Sequence, residues 1–342
     1  MCRILANREV TRVAAVAANR AHSTDSGAYG APTPTLTRLG CMNAAASASH
    51  RGPSDMKRHE TFFTFFHGAG LTPLEWACMR SFVDRGHRLL VFCYQEVEVP
   101  AGVSLTSAEE ILPQHELFFY RESPGAFSDI FRYALLFKFG GWWVDTDVLC
   151  LSELIPACQY AWAPEEPGAL NGAILRFPRR DPKLEELRRE ATKRAPTMKD
   201  WGTVGPHLLT ELLPKSPPCD HFGSQHDFYP LHWLQSHFPW CPEFLEETRS
   251  ACSASVFLHF WNSVVQMMGI DKRLAPPRGS FMSELYRGCP PALNATEIDQ
   301  RTMRVSITQF LRQGWAVEWC EKRLKIDPAR LLPRDIGTHG EH

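Results

Sequence analysis

Residues 128 to 149, SDIFRYALLFKFGGWWVDTDVL, constrain this chain more than any other stretch. Ile130, Tyr133, Ala134 and Phe137 recur at the spacing of one helix face, and Ser128 stands where a cap would open that helix. Asp129 and Arg132, three apart, share the other side of its first turn. Gly140-Gly141 ends the helix and lets the backbone turn sharply into an apolar strand, Trp142-Trp143-Val144. That strand delivers Asp145-Thr146-Asp147. Residues i and i+2 of an extended segment point the same way, so both carboxylates can converge on one cation. Two carboxylates at the end of a buried strand repel each other unless a divalent ion or protons compensate them. Hard oxygen ligands with room for diphosphate oxygens suit Mg2+ or Mn2+. Asp-x-Asp alone is common in solvated turns. Here a hydrophobic helix, a double glycine and an apolar strand run directly into it, which argues for a built site.

The flanking sequence reads as an α/β protein. TFFTFF (61–66) is a strand running into the loop His67-Gly68-Ala69-Gly70. Thr72-Pro73-Leu74-Glu75 is a capping box that opens a helix ending at Gly86, and RLLVFCYQ (88–95) is the next strand. Strand, helix and strand in this span make a parallel βαβ unit, without GxGxxG or a P-loop motif. Further on, a short helix is expected at 107–112, an edge strand at 117–120, strands at 160–163 and 170–177, and helices at 181–194 and 206–213. A long loop region covers 214–245, a last buried strand 255–260 and a C-terminal helix 308–323. No internal repeat is present.

Composition narrows the function classes. With 44% hydrophobic and 22% charged residues the chain is globular, not disordered. A formal charge of −1 gives little long-range pull toward nucleic-acid phosphates or anionic lipid. No apolar run reaches the roughly 18 residues that span a bilayer. The 11 cysteines contain no CxxC pair, against a zinc ribbon and in favour of a reducing, cytoplasmic setting. Six histidines between His207 and His259 match no helical ligand spacing, and Asn294-Ala295-Thr296 is read as a chance sequon. Residues 1–55, rich in Ala, Ser, Thr and Arg, have the composition of an organelle transit peptide. A disordered extension, or a start placed upstream of Met56, are the alternatives. The expected organisation is an extension (1–55), a catalytic domain (56–290) and a C-terminal helical extension (291–342).

SDIFRYALLFKFGGWWVDTDV resembles the signature of DxD sugar transferases with the glycosyltransferase A fold, in the group of capsular polysaccharide and α-1,4-glycosyltransferase-type enzymes. The resemblance covers about 60–287. It includes FFHGAGLTPLEWACMRSFVDRGHRLLVFCYQ, LNGAILRFPRRDPKLEEL, TVGPHLLTELL and VFLHFWNSV. It implies a Rossmann-like mixed sheet with helices on both faces. It also implies metal-dependent transfer of a sugar from a nucleotide-sugar, UDP-sugar first and GDP-sugar second, to a hydroxyl on a glycan, lipid or protein, with retention of configuration. Asp145 and Asp147 would be catalytic and hold Mn2+ or Mg2+. Phe66, His67, Ser128, Asp129, Arg132, Gly141, Asn171, Trp261 and Asn262 would bind the donor. Phe66 stands where relatives often carry a tryptophan, as an aromatic for base stacking. In the last strand His259 and Trp261 share a face. The resemblance makes His259 the third metal ligand, with Asn262 the alternative, and has Trp261 donate its indole N–H to a phosphate oxygen. Two other readings stay open. A toxin-like protein-modifying transferase shares SDxxR and DxD, and a non-catalytic nucleotide-sugar-binding module would be expected to have lost its DxD.

Overall fold

The computed structural model describes residues 56–214, 217–293 and 296–334. The chain divides into two units, Met1–Met56 and Lys57–His342, and the sheet with its covering helices belongs to the second. The expectations for 1–55 and for Asn294-Ala295 lie outside the described residues.

Seven strands form one mixed sheet. In chain order they are β1 (Thr61–Phe65), β2 (Arg88–Cys93), β3 (Ser104–Ser107), β4 (Gly141–Val144), β6 (Tyr160–Glu166), β7 (Ala169–Phe177) and β8 (His221–Phe222). β5 (Val148–Cys150) lies outside that sheet and pairs antiparallel with β9 (Phe257–His259). The order across the large sheet is β8-β6-β7-β4-β1-β2-β3. β1 runs parallel to β2 and β4, β2 parallel to β3, and β7 antiparallel to both β4 and β6. This is the mixed α/β architecture that the resemblance implied.

Adjacent residues of the central strands explain why both faces are covered. Trp142 and Trp143 point to opposite faces, yet each is fully buried. Trp142 joins Phe62, Leu89, Val91 and Ile174 beneath helix α1 (Pro73–Asp84). Trp143 joins Phe65, Phe92, Leu175 and Phe177 beneath α2 (Gly125–Phe139), α3 (Pro182–Arg194) and α4 (Pro206–Leu212). Two apolar layers thus sandwich the sheet. The box that opens α1 forms as expected, with the Thr72 amide donating to Glu75 at 3.0 Å. Asp181 caps α3 by accepting from the Lys183 amide at 2.8 Å.

Four local expectations are corrected. Helix α2 starts at Gly125, and Ser128 lies inside it, its amide donating to the Pro124 carbonyl at 2.8 Å. Ala126 and Phe127 are buried, so the apolar stripe begins a turn earlier than a Ser128 cap would allow. The edge strand is Ser104–Ser107, largely exposed and polar as an edge requires, whereas Leu117 and Phe118 are partly buried side chains packed on the core and 117–119 form no strand. The long region 214–245 contains β8, which extends the sheet by pairing parallel with β6. The single C-terminal helix is two, α5 (Gln300–Leu311) and α6 (Gly314–Trp319), followed by a π-helical turn Cys320–Leu324. Arg312 and Gln313 separate the two helices, and Gly314 opens the second.

The tail is tied back to the sheet. Trp315 stacks on Trp233 with centroids 5.9 Å apart. The Trp319 indole donates at 3.1 Å to Glu166, a buried carboxylate on β6. Among the described residues no helix is long and apolar enough to cross a membrane, and the nine described cysteines are free thiols.

Candidate metal and donor site

The Asp-x-Asp pair lies just past the C-terminal end of β4, in the turn that leads to β5. Val148 donates its amide to the Asp145 carbonyl at 3.2 Å, so Asp145–Val148 is a reverse turn and not a continued strand. The two carboxylates therefore converge through the turn and not through strand alternation. β9 aligns His259 opposite Val148, which carries the imidazole to the same place. Asp145, Asp147 and His259 offer ligand atoms within 4.8 Å of one another.

Each member is held by the fold. Asp145 Oδ1 accepts from Arg132 Nη2 at 3.0 Å and from the Trp143 indole at 2.7 Å, and its amide donates to the Ala173 carbonyl at 2.8 Å. Asp147 Oδ2 accepts from the Asn262 amide at 2.8 Å and lies 3.2 Å from His259 Nε2. Burial pushes the Asp145 carboxyl up against the pull of Arg132. Burial acts on Asp147 in the same direction, but His259, the Asn262 amide and Lys272 together outweigh it and hold that carboxyl down to about 2. The His259 imidazole is raised because Asp147 and Asp145 outweigh its own burial. Its Nδ1 is buried without a hydrogen-bond partner. Two carboxylates and an imidazole, with one ring nitrogen unsatisfied, are a donor set that fits Mn2+ or Mg2+.

Asp129 and Arg132 do more than brace one helix turn. Arg132 Nη2 reaches Asp129 Oδ1 and Asp145 Oδ1, both at 3.0 Å, and the guanidinium lies 5.2 Å from the Trp143 ring centroid. Burial raises the Asp129 carboxyl to about 7 despite Arg132. Two glycines make room for the pair. A Cβ at Gly172 would strike the Arg132 guanidinium, and one at Gly205 would strike the Asp129 carboxylate.

The remaining expected residues fall unevenly. Phe66 follows β1 and donates its amide to the Phe92 carbonyl at 2.9 Å. His67 packs edge-on against Phe119, centroids 5.4 Å apart, with Nδ1 unpartnered. Asn171, on β7, accepts from the Ala173 amide at 2.7 Å, one peptide from the carbonyl that holds Asp145. Asn262 meets the site through its backbone. Gly141 does not reach it: it opens β4 at the opposite end from Asp145, about 13 Å away at strand rise. Its positive φ and its contact with Phe63 serve the turn out of α2. The Trp261 indole is also reassigned. It donates to the Leu231 carbonyl at 3.0 Å, so its N–H is already satisfied within the protein. Trp261 closes the site as a ring, 4.3 Å from His259, on backbone of left-handed conformation. Of the other histidines in that stretch, His207 pairs with Asp200, His232 lies by Glu166, and His237 contacts the Leu331 carbonyl.

Sequence reasoning missed Trp143 as the donor to Asp145, and the room that Gly172 and Gly205 leave for Arg132 and Asp129. The alternation of Trp142 and Trp143 in a buried strand was the available signal for the first. The others depend on approaches between distant segments.

Residues 94–168 match the family described as glycosyltransferase sugar-binding region containing DXD motif. That span contains Asp129, Arg132, Asp145 and Asp147, so the DxD sugar-transferase resemblance holds where the candidate site is densest. The chain is 29% identical over 187 residues to lactosylceramide 4-alpha-galactosyltransferase of Mus musculus, covering 50% of this chain and 49% of that protein. It is 28% identical over 187 residues to the Homo sapiens protein of the same name, covering 50% of each. The chain thus spans about half the length of the curated relatives it matches. The solved PaToxG Glycosyltransferase aligns at 10% identity with a TM-score of 0.35, over 45% of this chain and 68% of that one.

Proposed function

We propose that the protein is a glycosyltransferase that moves a sugar from a nucleotide-sugar, a UDP-sugar first, to a hydroxyl acceptor, with a divalent cation held by Asp145, Asp147 and His259. The observation that carries this reading is the convergence of those three side chains at the end of a central strand, with Asp145 and Asp147 inside the matched DXD region. The cation supplies positive charge where the departing diphosphate develops negative charge. The chain's own residues prepare that place. Arg132 and the Trp143 indole fix one oxygen of Asp145, and the Asn262 amide fixes one oxygen of Asp147. Asp129, tied to the same guanidinium, offers acceptors for ribose or sugar hydroxyls. The rings of Phe66, His67 and Trp261 exclude water around the donor.

The names of the relatives make UDP-galactose and a lactosyl glycolipid the first donor and acceptor to try. Retention of anomeric configuration is supported by the family resemblance. Donor hydrolysis needs no acceptor and is the direct test: UDP-galactose, UDP-glucose and GDP-mannose, each with Mn2+ and with excess chelator. At least one donor is expected to turn over, only with the ion, and Asp147→Asn is expected to lower that rate about 100-fold or more. Undiminished turnover in chelator, or wild-type turnover in Asp147→Asn, overturns the assignment.

A further inference from the structure

A second carboxylate near the metal cluster plays no part in holding it. Between the pairs Pro164↔Leu170 and Glu166↔Ala169, β6 advances two residues while β7 advances one, so Glu165 is the extra residue of a β-bulge. A bulge bends its strand and re-aims a side chain. Glu166 uses its carboxylate to accept from the Trp319 indole in the tail. Glu165 instead has Oε2 held by the Asn171 amide group at 2.8 Å, while Oε1 has no hydrogen bond in the protein among the described residues. Glu165 is only partly buried, and this oxygen keeps access to solvent.

The same hydrogen-bond chain leads into the site. Asn171 Oδ1 accepts from the Ala173 amide, and the Ala173 carbonyl accepts from the Asp145 amide. Glu165 and Asp145 are thus joined through one side chain and one residue of β7. Tyr229 ties the two places together: its hydroxyl donates to the Asn171 carbonyl at 3.5 Å and its ring lies 5.9 Å from His259. Desolvation raises its carboxyl to about 7 although Asn171 and His259 pull it down. A carboxylate oxygen that meets only water can exchange it for a sugar hydroxyl in a charge-assisted hydrogen bond.

We propose that Glu165 is a sugar-recognition residue, its free oxygen accepting hydrogen bonds from hydroxyls of the transferred sugar on the side of the site bounded by β6 and β7. The proposal rests on the nucleotide-sugar reading above. It separates the two halves of the donor: the cation cluster and Arg132 take the diphosphate end, and Glu165 takes the sugar.

The test compares binding of UDP-galactose and of UDP, each with saturating Mn2+, by calorimetry on the full chain and its Glu165→Ala and Glu165→Gln variants. UDP-glucose and GDP-mannose, with UDP and GDP as their sugar-free partners, replace this pair if the wild type prefers them. Glu165→Gln keeps an oxygen for Asn171 and so preserves the bulge if the alanine variant does not fold. Loss of a charge-assisted hydrogen bond predicts about a 10- to 100-fold weaker nucleotide-sugar in Glu165→Ala. A smaller loss in the same direction is expected in Glu165→Gln, and UDP affinity should stay within about twofold in both. Unchanged nucleotide-sugar affinity in Glu165→Gln, or equal loss for nucleotide-sugar and UDP, overturns the assignment while leaving the transferase reading intact. A wild-type protein that binds none of these nucleotide-sugars with Mn2+ overturns the reading and this proposal together.

Discussion

Replacing Arg132 by methionine keeps most of the side-chain volume and removes the cation that joins a buried carboxylate, Asp129, to a partly exposed one, Asp145. Arg132 is 5% exposed and Asp129 6% exposed. The guanidinium bonds Asp129 and Asp145 at 3.0 Å each. Stranding buried charge in this way costs about 3–5 kcal/mol. The carboxyls can escape by taking protons, at about 1.4 kcal/mol for each pH unit above their pKa. Asp129 already sits at about 7 with Arg132 present, so its escape at pH 8 is cheap, and the Asp145 side chain, a quarter exposed, keeps part of its water, which puts the loss at the low end of that range. The sign of the pH dependence follows. Removing the cation raises both folded-state carboxyls further above their unfolded values, so between pH 5 and 8 the folded variant binds more protons than its unfolded chain. Its stability then falls as pH rises, more steeply than in the wild type. Urea unfolding followed by tryptophan fluorescence, in chelator so that no other cation substitutes, should show a loss of about 3 kcal/mol at pH 8. The loss should shrink by up to about 1.4 kcal/mol per unit for each carboxyl as pH is lowered. A loss below about 1 kcal/mol at pH 8, or an equal loss at pH 6 and pH 8, refutes the reasoning.

In Gly205→Ala the new Cβ would press on the Asp129 carboxylate. It should lower stability by about 1–3 kcal/mol, whereas Gly314→Ala, with nothing near its Cβ at the start of α6, should be neutral or stabilising. Equal melting temperatures for the two variants would remove the steric argument. His237 is fully buried against the Leu331 carbonyl, and burial holds its imidazole down to about 4. Because the unfolded chain takes up that proton first, the wild type should lose about 3 kcal/mol relative to His237→Gln as pH falls from about 6.5 to 4. Parallel melting-temperature profiles for the two proteins would rule this out.

What could be read from the sequence is what short-range physics controls. The capping boxes, the glycine pair that ends α2 and the alternation through Trp142-Trp143 each depend on neighbouring residues, and they place the sheet's centre and its Asp-x-Asp turn. His259 was reached only through family resemblance, since its local pattern suits a buried core histidine equally well. Arg132 was legible as a helix residue beside Asp129 but not as the bridge to Asp145, a contact 13 residues away that exists only once β4 lies beside α2. Glu165 was invisible because a bulge is a misfit between two strands, and no single strand records it. The Trp261 indole was misassigned because its acceptor, the Leu231 carbonyl, comes from a region that reads as loop.

The bond between Glu166 and Trp319 spans 153 residues. At a synthesis rate of about 5–20 residues per second, Trp319 emerges roughly 8–30 s after Glu166. During that interval the β6–β7 hairpin carries a carboxylate destined for burial, without its indole donor and without the Trp233–Trp315 stack that seats the tail. Trp142 and Trp143 can be buried by segments made earlier, whereas the Glu166 end of the hairpin gains these contacts only once the tail docks. A chain that ends before Trp319 would leave the Glu166 carboxylate without its indole donor and Trp233 without its stacking partner.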